Sequence, residues 1–328
     1  MKNPKILGVV ILVAILGLSG YKYYSYKHPE VIEKALKEAE IHTAITESTS
    51  SPSSSTSSSS TRFTVEVDNP VNATKTGVIE VGASGFNCFV ANIDKNDNWS
   101  LDYKEFGESL AYEGFMSLDD VKAGLKKYIG TIAEHGVNGK NIHFVMSSGA
   151  LKNPKTIMVA EAIRKMGYVV NTVGPTQEGQ FAFMALVPKN YRDNSFTIDI
   201  GSGNTKVSWY ENGRIKSLEG PGAKYTQNNI SNDEAYQQIC KLVDQIPVER
   251  RDQCFIIGGA PFKMAKESRN GEERFTLLKA PSEYSASGND KMVAGINIYK
   301  AIFDSSKTDK FIFDWDSNFT IGFLLTLN

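Results

Sequence analysis

Apolar and polar positions fall into two periods along this chain, and the change of period marks its elements. "GVIEVGA" (77–83), "FNCFVANID" (86–94) and "WSLDYKEFG" (99–107) read as strands parted by turns at 83–86 and 94–98, a three-stranded meander. Over 117–137 the spacing turns helical. Leu118, Val121, Leu125, Ile129 and Ile132 fall on one stripe, with Ser117 as N-cap and Asp120 three residues on. "NIHFVMSSGA" (141–150) reads as a buried strand entering a Ser-Ser-Gly loop, "TIMVAEAIRKMG" (156–167) as a helix ended by Gly167, and "YVVNTVG" (168–174) as a strand. The plan then recurs: a meander over 196–218, a helix over 232–246, the strand "CFIIGGA" (254–260), and helices over 262–267 and 289–303. A meander followed by alternating helix and strand, twice, predicts an α/β fold of two similar lobes with a cleft between them.

The repeat is visible in the residues themselves. "IEVGASGFNCFVANIDKNDN" (79–98) and "IDIGSGNTKVSWYENG" (198–213) match nearly position for position, Ile79 with Ile198, Glu80 with Asp199, Val81 with Ile200 and Gly82 with Gly201. Each is an apolar strand with an acid near its end, a bend of glycines and small polar residues, and a second strand. Taken alone, such a bend also reads as an ordinary hairpin loop. With the acid in the same register in both copies, duplication is the better account. Backbone N–H groups and hydroxyls of such bends form concave anion sites of the kind that hold phosphate. Facing each other across a cleft, Glu80 and Asp199 would be the ligands for Mg²⁺ or Ca²⁺ bridging a phosphate chain.

Composition narrows the partners. The chain has 328 residues, 41% hydrophobic and 22% charged, enough for two domains around a sizeable core. Net charge is -1 with no basic block, which argues against nucleic acid as a partner. The three cysteines, Cys88, Cys240 and Cys254, read as small core hydrophobes, and the four histidines form no metal-spaced motif. Asp314 and Asp316, flanking Trp315, read as solvated acids, with cation binding as the alternative.

The N-terminus is a separate module. "ILGVVILVAILGLSG" (6–20) carries no charge and is followed by tyrosines at 21, 23, 24 and 26. It reads as a single-pass membrane anchor, with a cleavable signal peptide as the alternative. A short basic tail before it favours an extracytoplasmic folded part. Residues 30–47 carry i,i+4 pairs such as Glu30–Lys34 and read as a solvated stalk; the Ser-rich run 48–61 reads as a flexible tether. The expected layout is anchor 1–27, stalk and linker 28–61, first lobe 62–190 and second lobe 191–328. A homodimer stays open.

Five motifs in order, "EVGASG" (80–85), "VMSSGALK" (145–152), "GPTQEGQFAFMAL" (174–186), "DIGSGNT" (199–205) and "IIGGA" (256–260), resemble the ATPase superfamily of actin, sugar kinases and heat-shock chaperones. Within it the likeness is to the exopolyphosphatase and guanosine-pentaphosphatase family and the related apyrases. The resemblance spans residues 77 to 265. It implies two ribonuclease H-like lobes, with Gly82, Ala83, Ser84 and Gly85 as one phosphate loop and Gly201, Ser202, Gly203, Asn204 and Thr205 as the other. It further implies Glu178 as the general base, Ser147, Ser148 and Lys152 as a phosphate-contacting loop, Glu80 and Asp199 on the cation directly or through water, and Gly258 and Gly259 against a nucleotide, although a Gly-Gly ending a strand reads equally as a structural turn. Taken singly, Glu178 and Lys152 read as solvent-facing residues; the motif order reverses that reading for Glu178. The chain departs from the family pattern at Glu80 (aspartate in relatives), Ser202 and Asn204 (glycine and serine), Gln177 (glutamate) and Lys152 (arginine). The implied activity is hydrolysis of phosphoanhydrides, in polyphosphate or nucleoside tri- and diphosphates. The alternative is a catalytically weak phosphate or nucleotide sensor or assembly module on the same fold; a filament former of the actin type fits the long tether poorly.

Overall fold

A computed structural model of the chain describes residues 64–82, 85–107, 117–147, 149–285 and 289–328. The expected anchor, stalk and Ser-rich linker lie outside the described residues, as do Ala83, Ser84 and Ser148. Among the described residues no helix is long and apolar enough to cross a membrane.

The first sheet is built from the meander β1 (Thr74–Val81), β2 (Phe86–Ile93) and β3 (Trp99–Phe106), then β4 (Ile142–Met146) and β5 (Val170–Thr172), in the order β3-β2-β1-β4-β5. Helix α1 (Leu118–Glu134) precedes β4 and α2 (Lys155–Lys165) precedes β5. Ser117 caps α1 in a full capping box with Asp120, and Val121, Leu125, Tyr128 and Ile132 bury its apolar stripe. Helix α3 (Pro175–Leu186) follows. The second sheet repeats the first: meander β6 (Ser195–Ile200), β7 (Asn204–Glu211) and β8 (Arg214–Pro221), helix α4 (Asn232–Val243), β9 (Gln253–Gly258), α5 (Gly259–Ser268), β10 (Phe275–Leu277), α6 (Asp290–Ser306), β11 (Phe311–Asp314) and α7 (Phe319–Leu325). Its strand order, β8-β7-β6-β9-β11-β10, is that of the first sheet with one antiparallel strand added at the edge.

One face of the first sheet, carrying Ile79 and Val81, packs under α1 and α2. The other, carrying Val78 and Phe89, joins the large core with α3, α7 and the second sheet. Strand alternation therefore points Glu80, two residues after Val78, to the α3 side. On β6 the apolar Phe196, Ile198 and Ile200 fill one face, while the polar Ser195, Thr197 and Asp199 alternate with them.

Helix α3 runs over β7 and β8. Gly179 permits the approach, since a Cβ there would press into the hydroxyls of Ser208 and Ser217. Behind α3, Gly322 of α7 lies against the Phe181 carbonyl, with no space for a side chain. The sequence reading assigned no element to 175–186, because the polar Thr176, Gln177, Glu178 and Gln180 gather in its first half and the apolar Phe181–Leu186 in its second, so it lacks a one-sided stripe.

The three cysteines are free, and Cys88 and Cys254 are buried, as expected of core hydrophobes. Asp314 corrects the reading as a solvated acid. It is buried and accepts both Nε and Nη2 of Arg274, at 3.1 and 3.0 Å. Asp316 pairs instead with Lys104 of β3, at 2.9 Å.

Candidate active site

The two hairpins have one register. In the first, Glu80 stands opposite Asn87 and Val81 opposite Phe86; in the second, Asp199 stands opposite Lys206 and Ile200 opposite Thr205. Each bend closes the same way, the N–H of Gly82 donating to the Gly85 carbonyl at 2.8 Å and that of Gly201 to the Asn204 carbonyl at 3.1 Å. Both bends lie at the carboxyl ends of parallel strands, where open α/β sheets bind their ligands.

The loops around each bend follow from the same topology. The N–H of Ser147, just beyond β4, donates to the Val81 carbonyl, and the buried Ser147 hydroxyl accepts from the N–H of Ala150. In the second lobe, Ala223 and Lys224 donate their N–H groups to the carbonyls of Gly201 and Ser202. Gly258 pairs with Ile200 and turns β9 directly into α5 at φ +119°, a conformation open to glycine, with its α-carbon against the Ile200 backbone. Gly259 begins α5 and is exposed, as are Ser202 and Gly203.

Glu178 comes from the first turn of α3, where Gly174 caps the helix and Pro175 opens it. It is buried, and its Oε2 lies 2.7 Å from the Nζ of Lys206. The same ammonium lies 3.4 Å from Asp199 Oδ2. Among the predicted residues, Glu178 and Asp199 are thus brought together, and Glu80 is close enough to feel the charge of both. Its carboxylate accepts a hydrogen bond from Asn87 Nδ2 at 3.0 Å. Three of the expected phosphate contacts have other surroundings. Lys152 ends a single helical turn and is exposed. Thr205 is buried, its hydroxyl donating to the Pro221 carbonyl at 2.8 Å. Asn204 donates its side-chain amide to Glu219 at 2.9 Å.

Burial, reinforced by the charges of Glu178 and Asp199 and opposed by the Asn87 bond, pushes the Glu80 carboxyl from its ordinary 4.5 up to about 7. Burial also raises Asp199, against the pull of the Lys206 ammonium. Lys206 moves the other way from a lone buried lysine. Burial opposes its charge, but Asp199 and Glu178 outweigh it and hold the proton more tightly than in water. Sequence reading missed Lys206. The signal was available: given a hairpin with a four-residue bend, the acid at 199 must face residue 206, and its counterpart at 80 must face 87.

The residues do not fit a divalent ion bridging Glu80 and Asp199, the expected metal ligands. Such an ion needs oxygens at about 2.0–2.6 Å, and the Asp199 carboxylate already carries a buried ammonium. Among the described residues, no three His, Cys, Asp or Glu side chains are gathered closely enough to hold a metal.

Two sheets of one topology, each with a matching hairpin at the strand ends, define the actin-like ATPase fold in the form found in Ppx/GppA proteins. An Aquifex aeolicus member of the Ppx/GppA family superposes with a TM-score of 0.58 at 18% identity, covering 78% of this chain and 97% of that one. An exopolyphosphatase-like protein gives 0.59 at 13% identity, over 79% and 98% of the two chains. An exopolyphosphatase from Cytophaga hutchinsonii gives 0.54 at 16% identity, over 77% and 97%. No family model and no curated protein matches the chain.

Proposed function

We propose that this chain is a phosphoanhydride hydrolase, removing the terminal phosphate of polyphosphate or of nucleoside tri- and diphosphates, and held at a membrane by residues 6–20. The observation that carries the reading is the convergence of Glu178 with the second of two matching hairpins, at the carboxyl ends of the sheet strands. The fold shared with an exopolyphosphatase from Cytophaga hutchinsonii supports the substrate class.

Each part of the chemistry has a group on this chain. The bends around Gly82–Gly85 and Gly201–Asn204 would cradle phosphate oxygens through backbone N–H groups, and the Ser147 hydroxyl would donate to one. The N-terminus of α5 at Gly259 adds a favourable partial charge for an anion. Water would attack the terminal phosphorus while the bond to the bridging oxygen breaks and its electron pair leaves on that oxygen. Glu178 would orient the water and take its proton, and Lys206, beside it, would lower the cost of the charge that develops.

Incubating the full chain with polyphosphate, ATP, ADP or guanosine pentaphosphate should release phosphate, and Glu178→Gln should cut the rate by about 10²-fold or more. Equal rates in both proteins would remove Glu178 from the mechanism. The tie of Glu178 to Lys206 at 2.7 Å favours one second reading, a sensor in which the base is locked. That reading predicts ligand-induced thermal stabilisation with no release from any of the four substrates.

A further inference from the structure

The ammonium of Lys206 is a feature of the site that the hairpin repeat leaves unexplained. A lysine side chain only 7% exposed is unusual and needs charged partners. It has two, Glu178 at 2.7 Å and Asp199 at 3.4 Å, one from α3 and one from β6. The equivalent position in the first hairpin is Asn87, which is neutral and bonds Glu80. The charge is therefore specific to the second hairpin and is not required for the hairpin to form.

The ammonium also lies beside the bend, since a Cβ built on Gly201 would stand 3.8 Å from Nζ. A metal ion cross-links carboxylates from separate elements and neutralises them next to an anionic ligand. Lys206 does both with a covalently held charge. A divalent ion on Asp199 or Glu178 would sit within a few ångströms of that charge, at a strong electrostatic penalty in a buried site.

We propose that Lys206 is the resident cation of this site, organising Asp199 and Glu178 in place of a divalent ion, so that a phosphate chain binds without protein-bound metal. The second half rests on the phosphate-cleft reading above; the first half does not. Two measurements on the full chain separate them.

The first is Mn²⁺ binding followed by the electron paramagnetic resonance of the free ion, without phosphate. Wild type and Lys206→Arg should leave the signal unchanged, and Lys206→Met should take up one ion per chain. Mn²⁺ should also raise the melting temperature of Lys206→Met and not that of wild type. An ion bound by wild type and displaced by Glu178→Gln or Asp199→Asn would overturn the proposal, whether or not Lys206→Met folds.

The second is calorimetric titration with tripolyphosphate, in chelator and in Mg²⁺, corrected for the metal complex in solution. The wild-type affinities should agree within about twofold. Binding about tenfold or more tighter with Mg²⁺ would overturn metal independence. Absence of binding under both conditions would overturn the phosphate cleft, while the Mn²⁺ signal still decides the role of Lys206.

Discussion

In the first hairpin the acid near the strand end, Glu80, faces the amide of Asn87; in the second, Asp199 faces the ammonium of Lys206. Register, bend and position at the carboxyl ends of the strands are shared, so the contrast isolates what one cross-strand partner does to a buried carboxyl. An amide donates a hydrogen bond but no charge, and Glu80 answers burial by holding its proton up to about pH 7. An ammonium supplies charge, and it draws in a second carboxylate, Glu178, from the helix above. One half of the site is thereby adjustable by pH, and the other is fixed by an ion pair.

The largest effect should come from removing that fixed charge. Lys206→Met removes the ammonium that Asp199 and Glu178 share in a buried site and should cost about 3–5 kcal/mol of stability in urea unfolding. Asn87→Ala, at the matching place, should cost only about 1 kcal/mol, because it removes one hydrogen bond beside a carboxyl that can take up a proton. Equal losses would mean that the two cross-strand partners do the same work.

The adjustable half should appear in the pH dependence. The folded state holds the Glu80 proton to about pH 7, whereas an unfolded glutamate releases it near 4.5. Folding therefore binds protons in this window. The contribution of Glu80 to stability is largest below the lower value and falls as pH rises through the higher one, by roughly 3 kcal/mol in all. Glu80→Gln should flatten that slope in denaturant titrations between these limits. Anionic ligand affinity should fall over the same interval in wild type, because the deprotonated carboxylate repels phosphate.

The smallest effect concerns the residues that follow the bends. Phe86 and Thr205 occupy equivalent positions, one buried as an apolar ring, the other buried with its hydroxyl on the Pro221 carbonyl. Thr205→Val should cost about 1 kcal/mol in thermal unfolding, for one lost hydrogen bond and an acceptor left bare.

How much of this was readable from the chain differs between backbone and cleft. The duplicated hairpins were legible because Glu80 and Asp199 sit in equal positions within equal patterns, and α1 was legible because its stripe and capping box are local signals. Helix α3 was not, since its polar residues gather in the first half and its apolar ones in the second, which leaves no amphipathic periodicity. The pairing of Glu178 with Lys206 was not legible either. It depends on α3 descending onto β7 and β8 through Gly179, a long-range approach that no local pattern encodes. Asp314 was misread for the same reason, its Arg274 partner lying forty residues earlier, just before β10.

The central claim, a hydrolytic cleft organised by Glu178 and Lys206, is tested most directly by phosphate release from tripolyphosphate in the presence of chelator, with wild type beside Glu178→Gln. Release should persist without free divalent ions and should fall by about 10²-fold or more in the variant. Release that begins only when Mg²⁺ is restored, or that is the same in both proteins, would contradict it.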